Sequence, residues 1–582
     1  MSLPPAPTSE TTPPPPTFEP AQLDWDDARA RLDALGTRPL DTADLADAWL
    51  ADASALLAEV WEAGSRTRIA HACRTDDADA KAAFMRWIEQ VEPALAPRMF
   101  ELKKRFVASP GAGALEAQGG VRLGQLLRSW RAEVDLFRPE NVALSTEVSK
   151  LASEYDRLVG GMTVEFDGKT QTMPQLAAYQ QETDRNVREQ AWRAGNDRRR
   201  QDDDAVDDVF SKQVALRQRI AKNADQADYR DYAWLSRQRF DYTPAHCAAF
   251  HDAVESEVLP ALAKLDRQRQ ASLGVETLRP WDAGVDPLGR DPLRPFAADD
   301  VEALRSRSAA ALTDVDPELG ALFGTLAPGR NLDLASRAHK RPGGFQSSLT
   351  KVGQPFIFMN AAGLHRDVDT MLHEAGHAFH FLLARSNEPL VFLQHAPIEF
   401  CEVASMSMEL FGMTAYDRFY PGAPADADRA RRLQLEGALR VLPWIALIDA
   451  FQQWVYTHPG HTPDQRTDAW LELDSRFSTG VVDWSGLENY QRTWWRRQLH
   501  LFHHPFYYIE YGIAQLAALR LGMRYRQEPA QTLADYKRAL GLADTRPLPE
   551  LFEAAGAPFD FGPEAVGPVV RSVSEALDAL PA

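Results

Sequence analysis

The sequence predicts a mainly α-helical protein of more than one lobe, with a small β-sheet. Its 582 residues exceed what one hydrophobic core organises. Apolar residues recur at spacings of three and four in segment after segment, and alternating β-branched runs are scarce. Residues 1 to 20, "MSLPPAPTSETTPPPPTFEP", lack a basic n-region and an apolar stretch, so they do not read as a secretory signal. Their Pro, Thr and Ser content suits a solvated, partly polyproline-II tail. Residues 21–180 form the first helical lobe, with amphipathic stretches at 45–64, 78–106 and 123–137. "MTVEFDGKTQTM" (162–173) reads as a hairpin around Asp167-Gly168. The second unit spans 181–582. Its opening stretch, 185–224, is charged but helical in spacing, and its mixed acids and bases indicate solvated helix faces rather than a recognition patch. The Pro-, Gly- and Asp-rich segment 279–300 is a loop or lobe connection. "SLTKVGQPFIFMN" (348–360) is the best strand of this half. The most apolar later run, 438–456, is interrupted by Pro443 and Asp449 and falls short of a membrane span. No internal repeat is present.

Charge and cysteine content exclude several functions. Lys plus Arg number 64 against 83 Asp plus Glu, a net charge of -19, and that field repels nucleic acid. Nothing in the chain points to a membrane. Cys73, Cys247 and Cys401 form no CxxC pair, so neither a disulfide framework nor a cysteine metal knuckle is supported, and a reducing, cytoplasmic location fits best.

The chemistry concentrates in "TMLHEAGHAFHFLL" (370–383). On a helix His373 and His377 share a face and can offer two imidazoles to one ion, while Glu374 reaches the ion's open side to take a proton from water. A chance copy on an exposed helix is the competing reading. A catalytic zinc takes three protein ligands and a water, so a third ligand is expected downstream. "HAPIEFCEVASMSMEL" (395–410) offers Glu399, Glu402 and Glu409 among apolar neighbours, where acids need partners. Spacing alone leaves Glu399 and Glu402 open as the ligand, with another acid orienting a ligand histidine. Further on, Pro505 breaks a helix ending near His500, and a new one starts in "FYYIEYGIAQL", gathering Tyr507, Tyr508 and Tyr511 at one corner. At least one of these phenols is expected to be an ordinary core residue. His503 and His504 read as surface residues, and Cys401 as a small core residue with no redox role.

These stretches together resemble the thimet oligopeptidase and oligoendopeptidase F family of zinc metallopeptidases, closest to the oligoendopeptidase F and Pz-peptidase branch. The likeness lies in "LHEAGHAFH", Glu402 in "FCEVAS" 25 residues after the second histidine, "HKRPGGFQSSL" (339–349), "QPFIFMNAAG" (354–363) and "HLFHHPFYYIEYGIAQLAALRL" (500–521), and extends over roughly residues 185–560. The resemblance implies one Zn2+ per chain on His373, His377 and Glu402, with Glu374 as general base and later proton donor. It also implies that His500 with Tyr508, and Tyr507 or Tyr511, meets the substrate oxyanion. The chain departs from the better-known members at Val403-Ala404-Ser405, where Pro-Ser-Gln is common, and in its His and Tyr spacing. The implied fold is a two-lobed helical zincin-type shell, with the small sheet beside the HExxH helix and a deep central channel. The implied reaction is hydrolysis of internal bonds of short unstructured peptides by zinc-activated water. For substrate contact, Gly343 and Gly344 are candidates for a mobile loop, and Phe356, Phe358 and Asn360 for a strand edge that pairs with a peptide backbone. The alternatives are a peptidyl-dipeptidase or carboxypeptidase, with Arg492, Arg496 and Arg497 as candidate carboxylate clamps, and a peptide-binding scaffold without turnover. Monomer and homo-oligomer are both compatible with the sequence.

Overall fold

The computed structural model describes residues 23–327 and 330–581; the Pro-rich segment 1–20 lies outside the described residues. Helices dominate, with two small sheets. No helix among the described residues is long and apolar enough to cross a membrane.

Two separate apolar cores organise the chain. The first runs from Ala28 to Trp130 and is built on the Ala43–Cys73 and Pro110–Leu136 helices. Each starts where its sequence dictates: the Thr42 and Ser109 side chains accept from backbone N–H groups of the first turn, and Pro110 occupies the first helical position, where no N–H is needed. The second core runs from Tyr155 to Leu577 and holds the helices of the later half. Leu390, Val391 and Leu393 come from far along the chain yet belong to the first core.

The 162–173 stretch forms the expected hairpin, β1 (Thr163–Phe166) and β2 (Lys169–Thr172), turning at Asp167 and Gly168, both with positive φ. The second sheet has β3 (Leu332–Ala335), β4 (Phe345–Leu349) and β5 (Gln354–Ala361) in the order β3-β5-β4; β3 runs parallel to β5 and β4 antiparallel. This order corrects the reading of Phe356 to Asn360 as an open edge. β5 is paired on both sides, and Phe356 and Phe358 are buried against Ile69 and Cys73, so the strand has no free edge and neither ring is exposed. Asn360 donates its side-chain amide to the carbonyls of Arg341 and Gly343 and thereby fixes the glycine turn. The edge strand of this pair is β4.

Pro443 does not interrupt its helix, which runs unbroken from Pro424 to Thr457. A mid-helix proline costs on the order of 3 kcal/mol. Leu439, Leu442, Ile445 and Ala446 around it are fully buried, and that burial offsets the cost.

Candidate metal centre and cleft

Two helices build the centre. The histidine helix, His365–Asn387, follows β5 after a turn in which Asp367 accepts from the Ala362 and Leu364 backbone N–H groups. The glutamate helix, Ile398–Gly412, lies against it. Gly376 lets them touch. A Cβ there would sit 2.6 Å from Ser405 Cα and 2.7 Å from the Ala404 carbonyl oxygen, distances real side chains do not adopt. This close approach brings Glu402 to the two histidines.

Glu402 Oε2 lies 3.5 Å from His373 Nε2 and 3.9 Å from His377 Nε2, and one ligand atom from each of the three falls within 4.8 Å of the others. Tetrahedral zinc with bonds of 2.0–2.1 Å sets its ligand atoms roughly 3.3 Å apart, so the trio needs only a small contraction to hold the ion. The tautomers suit it too. Glu409 accepts from His373 Nδ1 at 2.7 Å and is itself held by Gln434, while His377 hydrogen-bonds the Cys401 backbone carbonyl. Both arrangements point Nε2 towards the centre, and Ser405 Oγ donates to Glu402 Oε2 at 3.2 Å.

The three acids left open by spacing thus have three distinct partners. Glu402 faces the histidines and Glu409 orients one of them. Glu399 turns away, accepting from the Tyr242 hydroxyl at 2.6 Å beside the Arg239 guanidinium.

Glu374 is buried under β4 and Gly344. Burial pushes its carboxyl up to about 7, with His373 pulling it down, Glu402 pushing it up and the Gln346 backbone N–H donating to it. A base in that range is matched to proton transfer near neutral pH. Gly344 Cα has space for no larger residue without pressure, since a Cβ would meet Thr370 Cγ2 at 3.1 Å and Glu374 Oε1 at 3.6 Å; Gly343 has a φ of 100°.

His500 sits in the Leu499–His503 helix, and after Pro505 the chain turns at Phe506 into the Tyr508–Tyr525 helix. The three tyrosine rings surround His500, with centroids 4.8 Å (Tyr508), 5.9 Å (Tyr507) and 6.0 Å (Tyr511) away. Tyr507 reaches the metal group, its hydroxyl donating to Glu402 Oε1 at 3.4 Å, and it also bonds Tyr511. Tyr508 points to Trp444 and Gln498. Burial raises all three phenols, so they stay protonated donors.

The proton on His500 can be followed from a residue the motifs did not reveal. Trp444 Nε1, a donor only, bonds Gln498 Oε1 at 3.0 Å, which fixes the amide so that Gln498 Nε2 donates to His500 Nδ1 at 2.7 Å. Burial lowers the His500 pKa to about 4, with His504 and Arg237 adding to the shift. His500 is therefore neutral near pH 7 and carries its proton on Nε2. Gln498 and Trp444 carried no motif; the signal was only their position beside His500 and in an apolar helix. His503 bonds Asp156 at 2.8 Å and His504 is exposed.

A model of peptidase family M3 matches residues 178–287 and 323–560. No curated protein matches the chain. Among solved structures, Pz peptidase A with an inhibitor is 26% identical over 97% of this chain and 99% of its own, with a TM-score of 0.87. A structure provisionally assigned to oligoendopeptidase F is 26% identical over 97% and 98%, TM-score 0.86. A third, from Bacillus anthracis str. Ames with the same provisional assignment, shares the fold at 24% identity over 97% and 98%, TM-score 0.82. A family match over more than half the chain, on a fold shared almost end to end, makes the protein a metallopeptidase of family M3, similar to oligoendopeptidase F and Pz peptidase.

Proposed function

We propose that the protein is a zinc-dependent oligoendopeptidase that cuts internal bonds of short, unstructured peptides. The observation that carries this is the convergence of His373, His377 and Glu402 beside the buried Glu374 carboxylate. His373, His377 and Glu402 would hold the zinc, which when bound would supply Lewis-acid chemistry to water and to a carbonyl. Glu374 accepts the proton of the attacking water and returns it to the leaving amine. The Nε2–H of His500 and the phenols of Tyr507 and Tyr511, with Tyr508 supporting the ring stack, neutralise the charge developing on the carbonyl oxygen. The substrate backbone pairs with the β4 edge, residues 345–349, under the Gly343-Gly344 turn, and this places the scissile bond over Glu374. Residues 21–180 form one wall of the channel and 181–582 its catalytic body.

The test compares Glu374→Gln with the parent protein on a ladder of peptides with free and amidated C-termini. The expected outcome is internal, chelator-sensitive cutting by the parent, fading with peptide length. The variant keeps its zinc by elemental analysis and loses turnover by at least about 10²-fold. Unchanged turnover in the variant would sink the assigned base. Removal of C-terminal dipeptides from free termini only would replace the endopeptidase by an exopeptidase.

A further inference from the structure

Side chains from three distant elements hold the backbone of the corner at 501–506, where the His500 helix gives way to the tyrosine helix. Phe506 is fully buried and takes a φ of 65°, in the left-handed region that bulky residues avoid. Its N–H donates to Gln452 Oε1 from the Pro424–Thr457 helix, and its carbonyl accepts from Arg239 Nη2. Arg237 Nε donates to the Pro505 carbonyl at 3.1 Å. Just upstream, the short Leu499–His503 helix leaves its last carbonyls without partners of its own. Arg217, from the Asp203–Asn223 helix, donates to the carbonyls of Leu501 at 3.0 Å and of Phe502, and Gln213 Nε2 donates to Phe502 as well, also at 3.0 Å.

Packing alone does not account for these side chains. Gln213, Arg217, Arg239 and Gln452 are all buried, and among the described residues no carboxylate pairs with Arg217, whose charge meets two carbonyls and the Tyr456 hydroxyl instead. Gln452 Nε2 has no hydrogen-bond partner. Polar groups buried on such terms are less favourable than apolar side chains of similar volume. What the set has in common is the backbone that carries His500 and Tyr507. Arg237 and Arg239 also reach Glu510 Oε1, at 3.2 and 2.7 Å, three residues after Tyr507, and the Arg237 guanidinium lies 5.3 Å from the Tyr507 ring centroid. Tyr507 is the phenol whose hydroxyl meets Glu402.

We propose that Arg237, Arg239 and Gln452 are positioning residues for the oxyanion donors: they keep Phe506 left-handed and so aim the Tyr507 hydroxyl at the metal centre beside His500. This rests on the reading above, in which Tyr507 supplies such a donor. Residues that act in this way affect the transition state and not the uniform binding of a peptide, so their loss lowers kcat and spares KM.

The experiment uses Arg239→Lys, which keeps a charge beside Glu510 but loses the fork, and Gln452→Met, which loses the acceptor at similar volume. Each is made alone and together with Tyr507→Phe, and kcat and KM are measured on one peptide substrate at a temperature where melting curves show every variant folded. Tyr507→Phe should lower kcat by about 10²-fold and leave KM within about twofold. Each of the two corner variants should lower kcat by about 10-fold alone and by less than about twofold in the Tyr507→Phe background, since residues acting through one group are not additive. Arg188→Gln, at a buried arginine bonded to Asp282, controls for lost stability, and any effect it has should multiply that of Tyr507→Phe. Full multiplication in both corner variants, or a raised KM with kcat unchanged, would overturn the inference. Crystal structures of the corner variants read the placement without turnover: a Tyr507 hydroxyl withdrawn from Glu402 supports it, and an unmoved one overturns it. Full turnover in Tyr507→Phe, with the hydroxyl displaced in the corner variants, would sink the oxyanion assignment and leave the positioning role standing.

Discussion

Glu409 decides which nitrogen of His373 is available to a metal, because it accepts from Nδ1 and is itself anchored by Gln434. Glu409→Ala should therefore lower zinc affinity by about 10- to 100-fold with little loss of fold, measured by competition against a chelator. Sequence alone showed three acids on one apolar helix and required that each find a partner, but could not say which partner. That choice depends on helix rotation and on Tyr242, Arg239 and Gln434, all distant in the chain. A buried residue off the catalytic path gives a second prediction. His380 packs on Phe400, its Nε2 has no hydrogen-bond partner, and burial, with His395 nearby, lowers its pKa to about 3. Its folded pKa lies below the unfolded value of 6.5, so the unfolded chain binds more protons in this window and stability falls as pH drops below about 6.5. At pH 5 the loss from this residue is about 2 kcal/mol. His380→Phe should lose that much less stability than the parent between pH 7.5 and pH 5. Urea unfolding in the presence of chelator checks this, since metal release then contributes nothing.

At the scale of elements, the contact between the histidine and glutamate helices rests on Gly376. Gly376→Ala must push apart backbone atoms now too close for a methyl group, costing about 1 to 3 kcal/mol and moving Glu402 away from the histidines. Zinc affinity should fall together with melting temperature. A variant that melts earlier but binds zinc unchanged would show that the ligand geometry does not depend on this contact. Most helices were legible because their faces repeat with the helical period, and the β1–β2 hairpin because Asp167-Gly168 announces its turn. The edge of the second sheet was not legible. Residues 348–360 read as one strand, whereas Ser348 and Leu349 end β4, residues 350–353 turn and β5 starts at Gln354; and β3, some twenty residues before β5, pairs in parallel and takes its other side. No local pattern records a parallel partner. The 438–456 run, read as too interrupted to span a membrane, lies in a helix that the burial of Leu439, Leu442 and Ile445 maintains through Pro443, and no helix among the described residues is long and apolar enough to cross a membrane.

Across the whole molecule, the start of the segment joining the two metal-binding helices is gripped by the first core, while Ala396 packs in the second and Asp544 N–H donates to the Leu393 carbonyl. Phe392 packs edge-on against Trp61 and Trp130, Val391 N–H donates to Ser54 Oγ, and Arg122 forms a two-pronged pair with the buried Glu388. Glu388 ends the histidine helix, and the glutamate helix begins ten residues later. Loosening the N-terminal core should therefore reach the metal centre through this connection. Phe392→Ala removes a partly buried ring and should cost about 2 to 3 kcal/mol, below the 3–5 of a fully buried one. Arg122→Ala leaves Glu388 unpaired and should cost about 3 to 5 kcal/mol. A control within the same core but away from the connection, Leu56→Ala, should cost about 2 to 5 kcal/mol. Zinc affinity separates them: it should fall in Phe392→Ala and Arg122→Ala and hold in Leu56→Ala at temperatures where all three remain folded. Equal zinc affinity in the three variants would mean that the N-terminal core only covers the cleft and that the 388–398 connection holds its shape without it.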